Sequence, residues 1–191
     1  MNSNWFKLVL RLSNVNYGKN LLLKGIPVVY NTHGAELTIG SNCCIKSSFF
    51  SNLVGLYCRT IIITRRPNAY IRIGNGVGIS GATIYARKGI TIGDNTAIGG
   101  NTKILDNDFH PLDWKTRNEL LLNPRGGDSE FVPSKEVYIG KNCFIGCNSI
   151  ILKGTILGDG CVVGAGAVVS GVFEPGSVIV GNPAKVVRRI E

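Results

Sequence analysis

From Ile139 onward an aliphatic residue returns every six positions, at Ile139, Ile145, Ile151, Leu157, Val163 and Val169. Glycine follows it in Ile139-Gly140, Ile145-Gly146, Leu157-Gly158 and Val163-Gly164, and the fifth place is small in Cys143, Ser149, Thr155, Cys161 and Ala167. Upstream the same register reads Ile39-Gly40, Ile73-Gly74, Ile92-Gly93, Ile98-Gly99 and Ile104. A strict period of six suits neither an amphipathic helix, whose period is 3.6, nor a simple sheet, whose period is two. It predicts a solenoid of short strands joined by tight corners, with the aliphatic residue pointing inward. Three hexads make one triangular turn, so residues 18 apart should stack about 4.8 Å from one another, as paired strands do. Ile139 then lies under Leu157, and Ile145 under Val163.

The breaks in the period divide the chain. Residues 1–36 read as an irregular lead-in and cap, residues 37–180 as an all-β, parallel β-helix domain, and residues 181–191 as a basic tail with Lys185, Arg188 and Arg189. Ile39 and Ile45 start the first rungs, and residues 46–70 leave the register, with Phe49, Phe50, Leu53 and Tyr57 suggesting a bulge or widened coil. Ile61, Pro67 and Ile73 resume the period, which runs on through Ile79 and Tyr85. Ile73 and Ile92 are 19 apart rather than 18, which places one extra residue near Lys88-Gly89. After Ile104 the pattern stops for about 30 residues, an excursion at about 106–136. Long connections inside compact domains are usually functional.

The segment Trp5 to Leu12 supports two patterns. Trp5, Leu8, Val9 and Leu12 make a helical face with Lys7 and Arg11 opposite, whereas Phe6, Leu8, Leu10 and Leu12 alternate as a strand would. Either way it reads as a cap on the open end of the solenoid rather than as a membrane-surface helix.

Composition narrows the classes. A chain of 191 residues is one domain on length, and its 25 glycines suit a corner-rich fold. No apolar run approaches the ~18 residues of a membrane span, and Asn2, Ser3 and Asn4 give no basic start to a signal peptide, so a cytoplasmic location is expected. Of the six cysteines, Cys43, Cys143 and Cys161 occupy the small fifth place. Cys143 and Cys161 should stack, within the geometry of a disulfide, but in a cytosolic setting they read as small buried thiols. There is no CxxC pair and the only histidines are His33 and His110, which leaves zinc without ligands and disfavours metal-dependent enzymes built on the same coil. The net charge of +9 is uneven: residues 106–136 carry −3 and the remainder +12. The cations do not form a stripe with interleaved aromatics, so a phosphate-rich small molecule fits better than nucleic acid.

The excursion opens Asp106-Asn107-Asp108-Phe109-His110-Pro111-Leu112-Asp113 and runs on to Arg117. An imidazole suits proton abstraction from a hydroxyl at neutral pH, and a nearby carboxylate can fix its tautomer. His110 is thus the candidate general base. Asn107, Asp108, Asp113 and Arg117 are the candidates to orient it or to hold an acceptor.

With the runs Ile92-Gly93-Asp94-Asn95, His110-Pro111-Leu112-Asp113, Gly164-Ala165-Gly166-Ala167-Val168-Val169 and Gly181-Asn182-Pro183-Ala184-Lys185, the chain resembles the hexapeptide-repeat O-acetyltransferases. The maltose and galactoside acetyltransferases and the enzymes that acetylate surface-polysaccharide sugars are the most similar groups. The resemblance covers residues 71–190, and it implies a left-handed β-helix, although the crossover rule for parallel strands would favour a right-handed coil. It also implies direct acetyl transfer from acetyl-CoA to a sugar hydroxyl in a ternary complex, without a metal, and a homotrimer with active sites between subunits. His110 takes the family's base position, and a backbone N–H at Gly146-Cys147 is the expected oxyanion donor. Gly146, Cys147, Gly164, Ala165 and Ser170 are expected to line the cofactor groove, with Lys185 and Arg188 near its phosphates. Ser80 stands where several relatives carry an acceptor-binding asparagine. N-acetylation of an amino sugar is the neighbouring reading, and a non-catalytic scaffold the more distant one.

Overall fold

The computed structural model describes residues 3–122 and 131–190. The period of six becomes a triangular coil of parallel strands stacked in chain order. Sheet 1 stacks Asn16–Tyr17, Glu36–Ile39, Tyr70–Ile73, Gly89–Ile92, Val137–Ile139, Ile156–Leu157 and Val172–Phe173. Sheet 2 stacks Leu22–Gly25, Cys44–Ser47, Gly78–Ser80, Ala97–Ile98, Phe144–Ile145, Val162–Val163 and Ser177–Gly181. Sheet 3 stacks Val28–Asn31, Ile61–Thr64, Thr83–Ala86, Lys103–Leu105, Ile150–Ile151 and Val168–Val169. The chain passes from sheet 1 to sheet 2 to sheet 3 and back, so the molecule has three edges, each a stack of corners.

The expected register holds in the C-terminal turns: Ile139 pairs with Leu157, Ile145 with Val163 and Ile151 with Val169. All six of these side chains are buried within the coil. The small fifth place has a specific cause. Its hydroxyl or thiol sits inside the corner and donates to a corner carbonyl, as in Ser149 Oγ to Gly146 O at 2.7 Å and Thr155 Oγ1 to Leu152 O at 2.7 Å. Cys143 and Cys161 do the same toward Gly158 O and Glu174 O, and all six cysteines are free thiols. Along the edge between sheets 1 and 2, the corners place Asn42, Gly76, Asn95, Asn142, Gly160 and Gly176 at φ between +55° and +69°. That left-handed turn is open to glycine and tolerated by asparagine, which accounts for the Asn/Gly alternation there.

Several boundaries differ from the sequence expectation. The coil begins before Ile39: Asn16–Tyr17 pairs with Glu36–Ile39, Leu22–Gly25 with Cys44–Ser47, and Val28–Asn31 with Ile61–Thr64. Residues 16–31 are therefore the first turn of the coil: Tyr17, Leu23 and Val29 are six apart and pair with Ile39, Ile45 and Ile62, but glycine follows only Tyr17 and the step from Val29 to Ile39 breaks the period. Ile62 and Ile84, not Ile61, Pro67 or Tyr85, point inward on sheet 3 and pair with each other. The corner from Ile79 to Ile84 is one residue short and the next, to Ile92, is two long, so the extra residue does fall at Arg87-Lys88-Gly89.

The cap is helical. Helix α1 (Phe6–Leu12) buries Phe6 and Leu10, while Trp5, Leu8 and Leu12 of the expected buried face are exposed. At the other end Ala184–Arg189 folds back antiparallel on Ser177–Gly181, so the basic tail is a hairpin on sheet 2. No helix among the described residues is long and apolar enough to cross a membrane.

Candidate active site

The excursion leaves from Lys103–Leu105 on sheet 3 and returns at Val137–Ile139 on sheet 1, so it projects from the edge between those sheets. Its first residue anchors it. Asp106 is fully buried, and its carboxylate accepts the backbone N–H groups of Arg87 (2.8 Å), Lys88 (2.7 Å) and Gly89 (2.8 Å), and Asn107 Nδ2 (3.0 Å). These amides line the over-long corner one turn below. The extra residue near Lys88 and the excursion at Asp106 are thus one device: the widened corner presents N–H groups and the carboxylate satisfies them.

The two ends of the excursion are tied together. Asp108 N–H donates to Pro133 O at 3.1 Å, and Lys135 N–H to Asp106 O at 2.8 Å. Asn107 is buried, donating through Nδ2 to Asp106 and accepting Phe109 N–H at 2.9 Å. It shapes the loop, and both ends of its side chain are already engaged.

His110 follows directly. Its N–H closes a three-residue turn onto Asp108 O at 2.7 Å, with Phe109 at φ +63° between them. A bulky residue in that conformation is strained and must be held from outside; here the Phe109 ring rests on Tyr85, centroids 4.8 Å apart. The turn leaves His110 exposed, and its ring makes no hydrogen bond with a described residue.

The carboxylates flanking His110 have separate tasks. Asp113 precedes helix α2 (Trp114–Leu122), and its Oδ2 accepts both Thr116 N–H and Thr116 Oγ1, each at 2.8 Å. These bonds hold its carboxyl below the ordinary range. Arg117 turns back onto Pro111 O and Leu112 O, both at 3.0 Å, closing the same loop from the other side. Asp108 pairs through Oδ1 with Lys153 Nζ at 2.5 Å, and its Oδ2 is buried with no hydrogen-bond partner among the described residues. Lys153 was not singled out in the sequence; it sits on the corner that stacks above the excursion, a juxtaposition only the coil creates.

The expected cofactor residues divide between edges. Gly146, Cys147, Gly164 and Ala165 lie on corners between sheets 2 and 3, stacked so closely that a Cβ on Gly146 would stand 2.5 Å from Ala165 N. Gly146 N–H is taken by Val163 O at 2.7 Å, which leaves Cys147 N–H as the donor of that pair without a described acceptor. Lys185 pairs with Val180, whose side chain covers Gly164, so this cation borders the same edge. Arg188 lies farther across sheet 2, level with Val178. Ser170 is on the other edge, at the corner from sheet 3 to sheet 1, with His110. Ser80 is on the edge between sheets 2 and 3, where Asn52 Nδ2 donates to its Oγ at 3.1 Å. Sheet 3 separates His110 from Ser80 and from the Gly146–Ala165 corners within one chain.

Residues 136–171 match the family model for the hexapeptide repeat of succinyl-transferase. A single-residue variant of AntD, an N-acyltransferase from Bacillus cereus in complex with dTDP-4-amino-4,6-dideoxyglucose and coenzyme A, superposes with a TM-score of 0.69 at 20% identity, over 97% of this chain and 88% of that one. A hexapeptide-repeat acetyltransferase from Vibrio cholerae gives 0.54 at 21% identity, over 99% and 81%. A maltose O-acetyltransferase from Clostridium difficile gives 0.50 at 22% identity, over 99% and 76%. The chain has the left-handed β-helix fold of the hexapeptide-repeat acyltransferases. No protein of curated function matches it in sequence.

In this hexapeptide-repeat coil a second insertion, residues 48–60, runs up the edge between sheets 2 and 3. Leu56 lies against Gly81 and Gly100, Tyr57 N–H donates to Asn101 Oδ1 at 3.1 Å, and Tyr57 OH to Asn148 Oδ1 at 3.0 Å. The expected bulge is therefore a strap along the edge that carries Cys147 and Ala165.

Proposed function

We propose that the chain is an acetyl-CoA-dependent acyltransferase that acetylates a sugar hydroxyl of a saccharide or polysaccharide precursor in the cytoplasm, with His110 as general base. The observation that carries this reading is the built turn at Asp108-Phe109-His110: a buried carboxylate anchors it, a strained residue shapes it, and an exposed imidazole is the result. A scaffold has no use for that strain. His110 would take the proton from the acceptor oxygen as that oxygen bonds to the thioester carbonyl carbon and the thiolate of coenzyme A departs. Asp108, not Asp113, is the carboxylate to orient the ring: Asp113 is spent on Thr116, whereas Asp108 retains a buried oxygen with no partner among the described residues. The Gly146–Ala165 edge, with its missing side chains, the Cys147 N–H and Lys185, suits a long phosphate-bearing ligand lying along stacked corners.

Two features support a homotrimer with shared sites. His110 and the Gly146–Ala165 edge stand on different edges of one prism, and meet if a neighbour's edge faces the excursion. Among the described residues helix α2 buries none of its side chains, with Trp114, Leu121 and Leu122 all exposed. So short a helix needs a surface to pack on.

A second reading, N-acylation of an amino sugar, is favoured by one observation: the AntD complex holds a nucleotide-linked amino sugar. The test measures thiol release from acetyl-CoA across sugars, amino sugars and nucleotide sugars, with His110→Ala alongside. Acceptor-dependent release that falls at least about 10²-fold in the variant is expected. Release that persists undiminished removes His110 as base, and an amine-only acceptor profile selects the second reading.

A further inference from the structure

The charge is distributed along the axis of the coil. Residues 1–93 hold eleven Lys and Arg against a single carboxylate, Glu36, whereas residues 94–191 hold ten against eleven. Glu36 is itself held by Arg72, with Nη2 to Oε2 at 2.6 Å. Because the turns stack in chain order, this sequence asymmetry becomes a spatial one: the N-terminal half carries +10 and the other half −1.

The same end exposes apolar side chains on two elements. On α1 the buried Phe6 and Leu10 face the coil, while Trp5 (62% exposed), Leu8 (63%) and Leu12 (79%) share the opposite side at i, i+3 and i+7. Lys7 and Arg11 flank that stripe, and with Lys19 they border a depression of about 400 Å³ over which Arg11 stacks on Tyr17, 5.4 Å from the ring centroid. Beside the start of α1, Phe49 and Phe50 stand edge to face, 65% and 84% exposed. Ser3 and Ser48 line one cavity of about 510 Å³, so the two elements adjoin. A capping helix needs only its inner face. An outer stripe of Trp and Leu bordered by cations, at an end almost free of carboxylates, has the composition of an interfacial helix, in which rings sit at headgroup level and cations meet anionic lipid.

We infer that the N-terminal end of the coil docks on an anionic lipid surface through Trp5, Leu8, Leu12, Phe49 and Phe50, with Lys7, Arg11 and Lys19 contacting headgroups. The inference is independent of the acyl-transfer reading. It places the prism end-on to the bilayer and suits an acceptor that is itself lipid-borne.

Trp5 and Trp114 are the two tryptophans of the chain, so Trp114→Phe leaves Trp5 as sole reporter. Mixed phosphatidylglycerol–phosphatidylcholine vesicles are expected to shift its emission to the blue and to co-sediment the protein, whereas pure phosphatidylcholine vesicles do neither, and added salt reverses the effect. Each surface cation contributes about five-fold to partitioning, so Lys7→Glu with Arg11→Glu is expected to weaken binding at least about 25-fold. Leu8→Ser with Leu12→Ser should weaken it too, at an unchanged thermal midpoint. Equal binding to both vesicle types, or none to either, overturns the proposal. Self-association lost in the leucine variant without vesicle binding overturns it in favour of a second copy of the chain. None of these readouts depends on thiol release, so a failure here and a failure of the acyltransferase reading remain separable.

Discussion

Asp106 links the two irregularities of the chain at the level of one side chain. Its carboxylate is the acceptor for three consecutive amides of the widened corner, and hydrogen bonds to a buried charge cost most when one partner is removed. Asp106→Ala is expected to lower unfolding free energy by about 3 kcal/mol in denaturant titration and to loosen the excursion to proteolysis. Asp106→Asn, which keeps one acceptor oxygen, should lose less. A change in Asp106→Ala within the usual surface scatter of about 0.5 kcal/mol would refute the anchoring role. The thiols show the opposite case. Burial pushes Cys143 up to about 11 and raises Cys43 and Cys161, so these three remain protonated, unreactive members of the packed column. The small fifth place already implied as much in the sequence. The pairing of Lys153 with Asp108 it did not imply, because 45 residues separate them and only the stacking of successive corners brings them together.

At the level of elements, the excursion is a rigid base carrying an exposed helix. Zipped backbone at Asp106–Asp108 and Pro133–Lys135 fixes the base, whereas α2 depends on its cap and on whatever it packs against. The Asp113 carboxyl is held low by its bonds to Thr116. Its capping contribution is therefore present in full above the ordinary value of 3.8 and is lost as pH falls through the lowered folded value. Amide protection of residues 114–118 should thus drop on acidification in the native chain and be low and pH-independent in Asp113→Ala. Protection indifferent to pH in the native chain would contradict the cap. The helix was not legible beforehand, since Trp114–Leu122 has no apolar period; only the break in the hexads marked its location. Helix α1 was half legible. The alternation of apolar and cationic residues announced a cap, but which face turned inward depended on the position of the first coil at residues 16–31, whose short run of hexads is cut off from Ile39 by the long step after Val29.

For the whole molecule, the division of the candidate residues between two edges makes a decisive experiment available. His110→Ala and Ala165→Trp, the latter at an exposed corner the fold tolerates, should each be inactive alone. Dissociated together and reassembled, they should recover about a quarter of native activity if neighbouring chains share each site in a closed ring. No recovery in verified mixed oligomers would place each site within one chain. What the sequence alone determined is what repeats: the aliphatic column, the glycines that follow it, the small fifth place and the presence of one histidine in the longest interruption. These are local because each rung meets only the rungs above and below it, so a period of six carries the fold. What only the tertiary structure decided is what lies between rungs and across faces: the register of sheet 3, the Asp106 and Lys153 contacts, the outer stripe of α1 and the width of sheet 3 between His110 and the Gly146–Ala165 corners. Those relations join residues from different turns and different edges, and a one-dimensional period holds no record of which corner stacks on which once an insertion has shifted the count.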